Sequence, residues 1–135
     1  MTEITSKEAV LGADLPTVFE FLCDMNNYEL LLPKDKINEW EAGKDHFSCK
    51  IQNTYKISLL ANGTTDDKEV HLISAEGSPL KFSLNLKLEE NGDGCNAQMF
   101  CDADLNPFLK MMALKPLQNL FDYMAGRLEK IYPAG

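Results

Sequence analysis

Two histidines and four cysteines, with a few paired acids, are the side chains of this 135-residue chain whose types could do chemistry. A metal centre needs ligands that converge, and a nucleophilic or acid–base site needs a base within reach of a proton. His46 and His71 sit in strand-like patterns with no His, Cys or carboxylate at a ligand spacing. Val70 and Leu72 flank His71 and take the opposite face, so its imidazole is expected in solvent on the outside of a sheet. Cys23, Cys49, Cys95 and Cys101 fall at apolar positions of helix or strand patterns, and none forms a C-x-x-C pair. They read as buried, reduced thiols of a cytoplasmic protein. Asp66-Asp67 and Glu89-Glu90 pair carboxylates, but in turns or strand ends where nothing apolar would raise a pKa. Phosphate loops, nucleophile elbows and H-E-x-x-H helices do not occur in the chain. The expectation is therefore no catalytic residue, no metal and no cofactor.

The elements that would have to position a site carry more information. A first strand is expected over residues 4–11. Asp14 then offers an N-cap and Pro16 a first-turn proline, opening a helix with Val18, Phe21, Leu22 and Met25 on one face. Asn26-Asn27 interrupts it, and Tyr28 to Leu32 adds a short second helix before Pro33. From there the period is two. Ile37–Ala42 and His46–Gln52 make a hairpin across Gly43-Lys44-Asp45, and Tyr55, Ile57, Leu59 and Ala61 continue the alternation to a polar turn at Asn62–Asp67. Lys68–Ala75 follows, then Leu80–Glu89 with Leu80, Phe82, Leu84, Leu86 and Leu88 inward. Asn91-Gly92-Asp93-Gly94 is a strong turn. The last strand, Cys95–Leu105, puts Cys95, Ala97, Met99, Cys101, Ala103 and Leu105 inside, with Asp102 among its wet positions. Asn106–Ile131 closes the chain as an amphipathic helix whose stripe includes Leu109, Met112, Leu117, Leu120, Phe121, Met124 and Leu128. Pro116 predicts a kink or a fresh helical start.

This order predicts an α+β fold: a seven-stranded curved antiparallel sheet wrapped around a long C-terminal helix, with two short helices after the first strand. Residues 1–135 form one domain. Hydrophobic residues at 44% and charged residues at 25% are those of an ordinary globule. A net charge of −8, with 13 basic side chains scattered among 21 acids, argues against phosphate backbones and anionic lipid surfaces, so nucleic acid is disfavoured. No apolar run is long enough to cross a bilayer, so no stable membrane insertion is expected. Met1 leads straight into Thr2, Glu3 and Ile4 without a signal-peptide pattern, so Asn62-Gly63-Thr64 reads as a turn and not as a glycan acceptor.

The segment Ala13–Asp24, then Asn27-Tyr28 and Leu31-Leu32-Pro33, resembles the opening of the START-like or SRPBCC superfamily of helix-grip proteins. Asn106-Pro107, Lys115-Pro116-Leu117 and Arg127-Leu128-Glu129 are similar to its final helix, and the resemblance covers residues 4–131. It implies a first strand beside the last and a cavity between sheet and helix. Superfamily members include lipid, sterol and coenzyme Q carriers, plant allergens, polyketide cyclases and aromatases, and chaperone co-activators, so the resemblance implies no shared catalytic motif.

The expected site is that cavity, lined by Phe82, Leu84, Met99 and Cys101 from the sheet and Met112, Leu117, Leu120, Phe121 and Met124 from the helix. Phe21 and Tyr55 complete it, with Tyr55, Ser74 or Asn106 orienting a ligand at the mouth. The partner is a small hydrophobic molecule such as a lipid, sterol, polyketide or isoprenoid, bound without catalysis by a monomer or weak homodimer. The alternatives are a polyketide cyclase or dehydratase, which needs an inward acid–base pair, and an interaction module using outward Leu60, Ile73 and Phe100 on the convex face.

Overall fold

The computed structural model describes residues 2–51 and 55–134, and the side chain of Tyr55 and the strand end expected at Gln52 lie outside the described residues. The strands are β1 (Thr2–Thr5), β2 (Ala9–Leu11), β3 (Ile37–Gly43), β4 (His46–Ile51), β5 (Tyr55–Thr65), β6 (Glu69–Ser74), β7 (Lys81–Asn91) and β8 (Gly94–Asp104). Two α-helices, α1 (Leu15–Cys23) and α2 (Pro107–Ile131), and a 3-10 helix over Met25–Leu31 complete the order. All strand pairs are antiparallel, in the sequence β1-β8-β7-β6-β5-β4-β3, with β2 also on β8. The first strand does lie beside the last, and the fold is the expected helix grip.

The expected first strand is two strands because it carries a bulge. Ile4 and Ala9 are both buried but five positions apart, which strict alternation forbids. Three residues, Ser6–Glu8, therefore face two, Gln98 and Met99. Ser6 holds the bulge: its N–H donates to the Met99 carbonyl (2.9 Å), its Oγ accepts from Met99 N–H (3.0 Å), and its carbonyl accepts from Gln98 Nε2 (2.8 Å).

Two further expectations are corrected. The polar stretch Asn62–Asp67 is not a long turn. β5 runs through it to Thr65, with a register shift between Ala61 and Thr64 that leaves Ala61 exposed. Only Asp66–Lys68 turn, between the paired Thr65 and Glu69, with both aspartates at φ near +52° and Lys68 N–H donating to the Thr65 carbonyl (3.0 Å). Pro116 does not restart α2 either. Its missing N–H frees the carbonyl of Met112, which lies on the exposed side where water can take it, so the helix continues.

α1 starts as expected, with Asp14 accepting from Thr17 N–H (3.1 Å), and buries Leu15, Val18 and Leu22 against β6 and β7. Tyr28, fully buried on the 3-10 helix, donates from Oη to the Leu22 carbonyl (2.8 Å) and stacks on Phe47, which stacks on Trp40. α2 opens on Asn106, whose side chain accepts from Leu109 N–H (2.8 Å). Its polar side then clamps the sheet edge: Asp122 accepts from Lys7 N–H (2.8 Å), Glu129 from Val10 N–H (3.1 Å), and Gln118 donates to the Thr5 carbonyl (2.8 Å). These bonds satisfy edge-strand groups and fix the helix along β1 and β2.

Candidate functional site

That clamp decides where space can exist. The backbone of α2 lies closest to β1, β2, β8 and the 3-10 helix, and β4, β5 and β7 stand farther from it. Between them lies a void of about 10 Å³, no larger than the ~10–15 Å³ one water requires. Its walls are Phe47, Cys49 and Ile51 from β4, Ile57 and Leu59 from β5, and Phe82 and Leu84 from β7. Leu32, Leu120, Phe121 and Met124 close it from the helices. The Phe82 and Phe121 rings meet edge to face, 6.3 Å between centroids. The described interior around this small void is thus a packed core.

The expected lining residues divide accordingly. Phe82, Leu84, Leu120, Phe121 and Met124 come together around the void. Met99, Cys101 and Leu117 are buried in the same core away from its wall. Phe21 stands at the C-terminal end of the chain's path, edge to face with Tyr132 at 5.7 Å. Met112 is a correction: it is 53% exposed. At 100° per residue it sits about 140° around the helix from Leu117, and Ala113 takes the buried place. The wall residues of β4 and β5 were visible as inward-alternating positions, but which strands would face the void depends on the lateral placement of α2, which no local pattern encodes. Of the polar groups expected at a cavity mouth, neither Ser74 nor Asn106 lines the void, and both are already engaged, Ser74 Oγ accepting from Phe82 N–H (3.1 Å) and Asn106 capping α2. Tyr55, the third expected polar group, lies outside the described side chains.

Inward chemistry is scarce. Among the described residues no Asp, Glu, His, Lys or Arg side chain is buried, the buried polar groups being the Ser6 and Tyr28 hydroxyls and the thiols of Cys49, Cys95 and Cys101, and no group of three or more His, Cys, Asp and Glu is placed to hold a metal. His71 is not the free, solvated imidazole expected. It is half-buried on the convex face, with Nδ1 2.6 Å from Asn85 Oδ1 and Nε2 2.8 Å from Thr65 Oγ1. The amide oxygen can only accept, so Nδ1 donates to it, and Nε2 shares a hydrogen bond with the threonine hydroxyl. This chain of bonds ties β5, β6 and β7 together beside the β5 irregularity. Asp102, expected in water, is half-buried with Oδ1 enclosed and unpartnered, at a surface groove of about 420 Å³ that also includes Ile73 and Ser83. Phe100, expected outward, is half-covered beneath the Lys87 ammonium, 5.0 Å from its ring centre.

All four cysteines are free thiols. Burial pushes Cys49 up to about 11 and Cys101 up to about 12, and raises Cys95. Cys23 is raised by partial burial and by the charges of Asp67 and Glu20. Every folded-state pKa is raised, so the reactive thiolate is depleted at pH 8 and gained on unfolding. The native protein at pH 8 should therefore react with a disulfide reagent first at half-buried Cys23 and far more slowly elsewhere, with four thiols titrating once urea is added. A native burst of several thiols would contradict this packing.

A meander of antiparallel strands gripping a C-terminal helix, with two short helices after the first strand, defines the START-like, SRPBCC-type helix-grip fold. Solved structures share it at low sequence identity. A START superfamily protein from Mycobacterium smegmatis superposes with a TM-score of 0.67 at 13% identity, covering 96% of this chain and 98% of that one. The protein XoxI from Bacillus cereus gives 0.76 at 9% identity, covering 98% and 96%. A protein from Chromobacterium violaceum gives 0.74 at 8% identity over the whole of both chains. No family model and no curated protein matches the sequence. No helix among the described residues is long and apolar enough to cross a membrane.

Proposed function

We propose that this single domain acts in the cytoplasm as a reversible, non-catalytic binder of a small hydrophobic molecule. The molecule enters between α2 and strands β4, β5 and β7. The observation that carries the reading is a void whose wall is apolar apart from one thiol, on the side of α2 away from the β1, β2 and β8 strands it is clamped to. Ligand entry requires Met124, Leu120 and Phe121 to change rotamer, and the unbranched thioether of Met124 adapts readily. A ligand hiding ~300 Å² of apolar surface gains ~7 kcal/mol at ~25 cal/mol/Å², from which opening the packed interior subtracts. With Ser74 and Asn106 already bonded, a hydrocarbon tail or fused ring suits the interior better than a ligand with an internal hydroxyl, because an unpartnered hydroxyl there costs ~1–3 kcal/mol. A cyclase or dehydratase would need an inward acid–base pair, and among the described residues no carboxylate, imidazole or amine is buried; the Tyr28 hydroxyl is bonded to the Leu22 carbonyl and the Cys49 thiol is held protonated by burial. The test is native mass spectrometry of freshly purified protein, paired with titration of N-phenyl-1-naphthylamine. A retained lipophile or saturable fluorescence gain of one probe per chain is expected. Neither appearing would defeat the reading and favour the convex face, where Leu60 and Ile73 pair directly and are each about 40% exposed.

A further inference from the structure

The outward face of α2 carries a protrusion near one end and a depression near the other. Phe108 is 66% exposed, Met111 81% and Met112 53%, so an apolar ridge stands out from the first turns. Toward the C-terminus a surface depression of about 400 Å³ is bounded by Lys7, Asp122, Tyr123, Gly126 and Arg127. Phe108 and Gly126 are separated by a whole number of turns at 3.6 residues per turn, so ridge and depression point the same way, ~27 Å apart along the axis. Glycine is unfavourable in a helix interior, and nothing within the chain demands it at 126. Beyond its own helix, a β-carbon there would meet nothing nearer than Lys7 Nζ, at 3.5 Å. The missing side chain keeps the depression open.

We propose that α2 pairs with α2 of a second copy of the chain, antiparallel about a twofold axis, each Phe108 ring seated over the partner's Gly126. Such a pairing is isologous, so both insertions form at once. The flanks of the face agree with it. At 100° per residue, Met112 and Tyr123 stand about 40° and 60° to one side of the line from Phe108 to Gly126, and Lys115 and Asp122 about 20° and 40° to the other. A twofold perpendicular to the plane of the two helices keeps like side on like side. Met112 therefore meets the partner's Tyr123, and Lys115 comes within a turn of the partner's Asp122, opposite charges facing each other across the pair. The ring over Gly126 also lies beside the Lys7 ammonium, a cation suited to an aromatic face.

Area supports a second copy as the occupant. Taking ~200 Å² for each whole side chain, the exposed parts of Phe108, Met111, Met112 and Tyr123 come to about 480 Å². With the exposed Lys115 and Asn119 between them, about 600 Å² per chain is covered, or ~1,200 Å² in all, which reaches the lower bound of specific interfaces. The net charge of −8 on each copy opposes association, but residues Asn106 to Phe121 include no acid, and exposed charges farther apart than ~8 Å are largely screened at physiological salt. The dimer is accordingly weak, with Kd on the order of 10 µM. It uses the side of α2 opposite Phe121 and Met124, so it goes beyond the ligand proposal and stands without it.

Sedimentation equilibrium from roughly 1 to 200 µM should show a monomer passing to a dimer and to nothing larger, because an isologous pair is closed. Gly126→Leu fills the depression with a better helix former. Dimerisation should then weaken at least ~10-fold, while the melting temperature at ~1 µM, where the chain is monomeric, holds or rises. Phe108→Gln should weaken the dimer by a similar factor and leave that melting temperature unchanged, since its side chain is exposed in the monomer. Register is read by oxidising a mixture of Met112→Cys and Tyr123→Cys chains. The mixture should cross-link and neither variant alone should, because like positions stand ~15–18 Å apart along the axis, beyond the reach of a disulfide. A chain that is monomeric at every concentration overturns the proposal. So does a dimer that Gly126→Leu and Phe108→Gln leave intact, or cross-linking no greater in the mixture than in either variant alone. Probe uptake by the interior is read separately, so failure here leaves the ligand proposal standing, and failure there leaves this one.

Discussion

Phe121→Ala should lower the unfolding free energy by ~3–5 kcal/mol. Phe121 is 2% exposed, meets Phe82 edge to face and walls the void, so truncation removes a packed ring and merges its volume with space already present. The surroundings cannot collapse to refill it: α2 is held to β1 and β2 by Asp122, Glu129 and Gln118, and Phe82 and Leu84 are fixed by the β7 ladder. The enlarged space stays apolar, and apolar cavities of ring size remain dry and accept benzene. Urea midpoints should show the loss, and benzene should restore part of it in a thermal shift while leaving the wild type unmoved. Phe108→Ala provides the contrast on the same helix, because a side chain 66% exposed should change stability by no more than ~0.5 kcal/mol. A loss below ~1 kcal/mol for Phe121→Ala would mean that the interior is already open and that the ring carries little packing.

The sequence conveyed the fold wherever a single face was buried for a long run. Leu80, Phe82, Leu84, Leu86 and Leu88 alternate without interruption, and all five are buried. Slipping one register would expose every one, so the pattern could mean only one arrangement. It failed where a local rule was overridden by a neighbouring element. The Ser6 bulge was readable in principle from the five-residue gap between Ile4 and Ala9, but only a partner strand shows that both face inward. Asn62–Asp67 carries turn residues, yet pairing with β6 draws Thr64 and Thr65 into the sheet and leaves only Asp66–Lys68 to turn. Met112 fits an apolar stripe by type, but the stripe's true phase comes from Ala113, Leu117, Phe121, Met124 and Leu128, and alanine gives a weak apolar signal. The bonding of His71 to Thr65 and Asn85 joins three strands, and such a contact has no spacing in one dimension. The candidate site was legible as a set of apolar positions. Its volume was not, because whether facing side chains meet depends on the distance at which α2 is clamped.

Met124→Trp and Leu120→Trp separate a site that opens from a core that merely fills. With a void of about 10 Å³, an indole at either position exceeds the available space, and overpacking costs ~1–3 kcal/mol. The two residues are not equally trapped. Met124 is 2% exposed, whereas Leu120 is only partly buried and packs at the margin of the core. A Trp at 120 can turn its ring toward solvent, so Met124→Trp should carry most of the destabilisation and Leu120→Trp well under half as much. Both should abolish saturable uptake of N-phenyl-1-naphthylamine, since each ring occupies or obstructs the gap between α2 and β4–β5 that a ligand must enter. Urea midpoints and probe titrations on wild type and both variants measure the two effects independently. Unchanged probe affinity in Met124→Trp, alongside the expected loss of stability, would show that the probe binds elsewhere and would sink the interior-site reading. Equal tolerance of both indoles with loss of uptake would place a larger open cavity behind Met124, and would move the protein from a binder that must unpack its core to one with a preformed pocket.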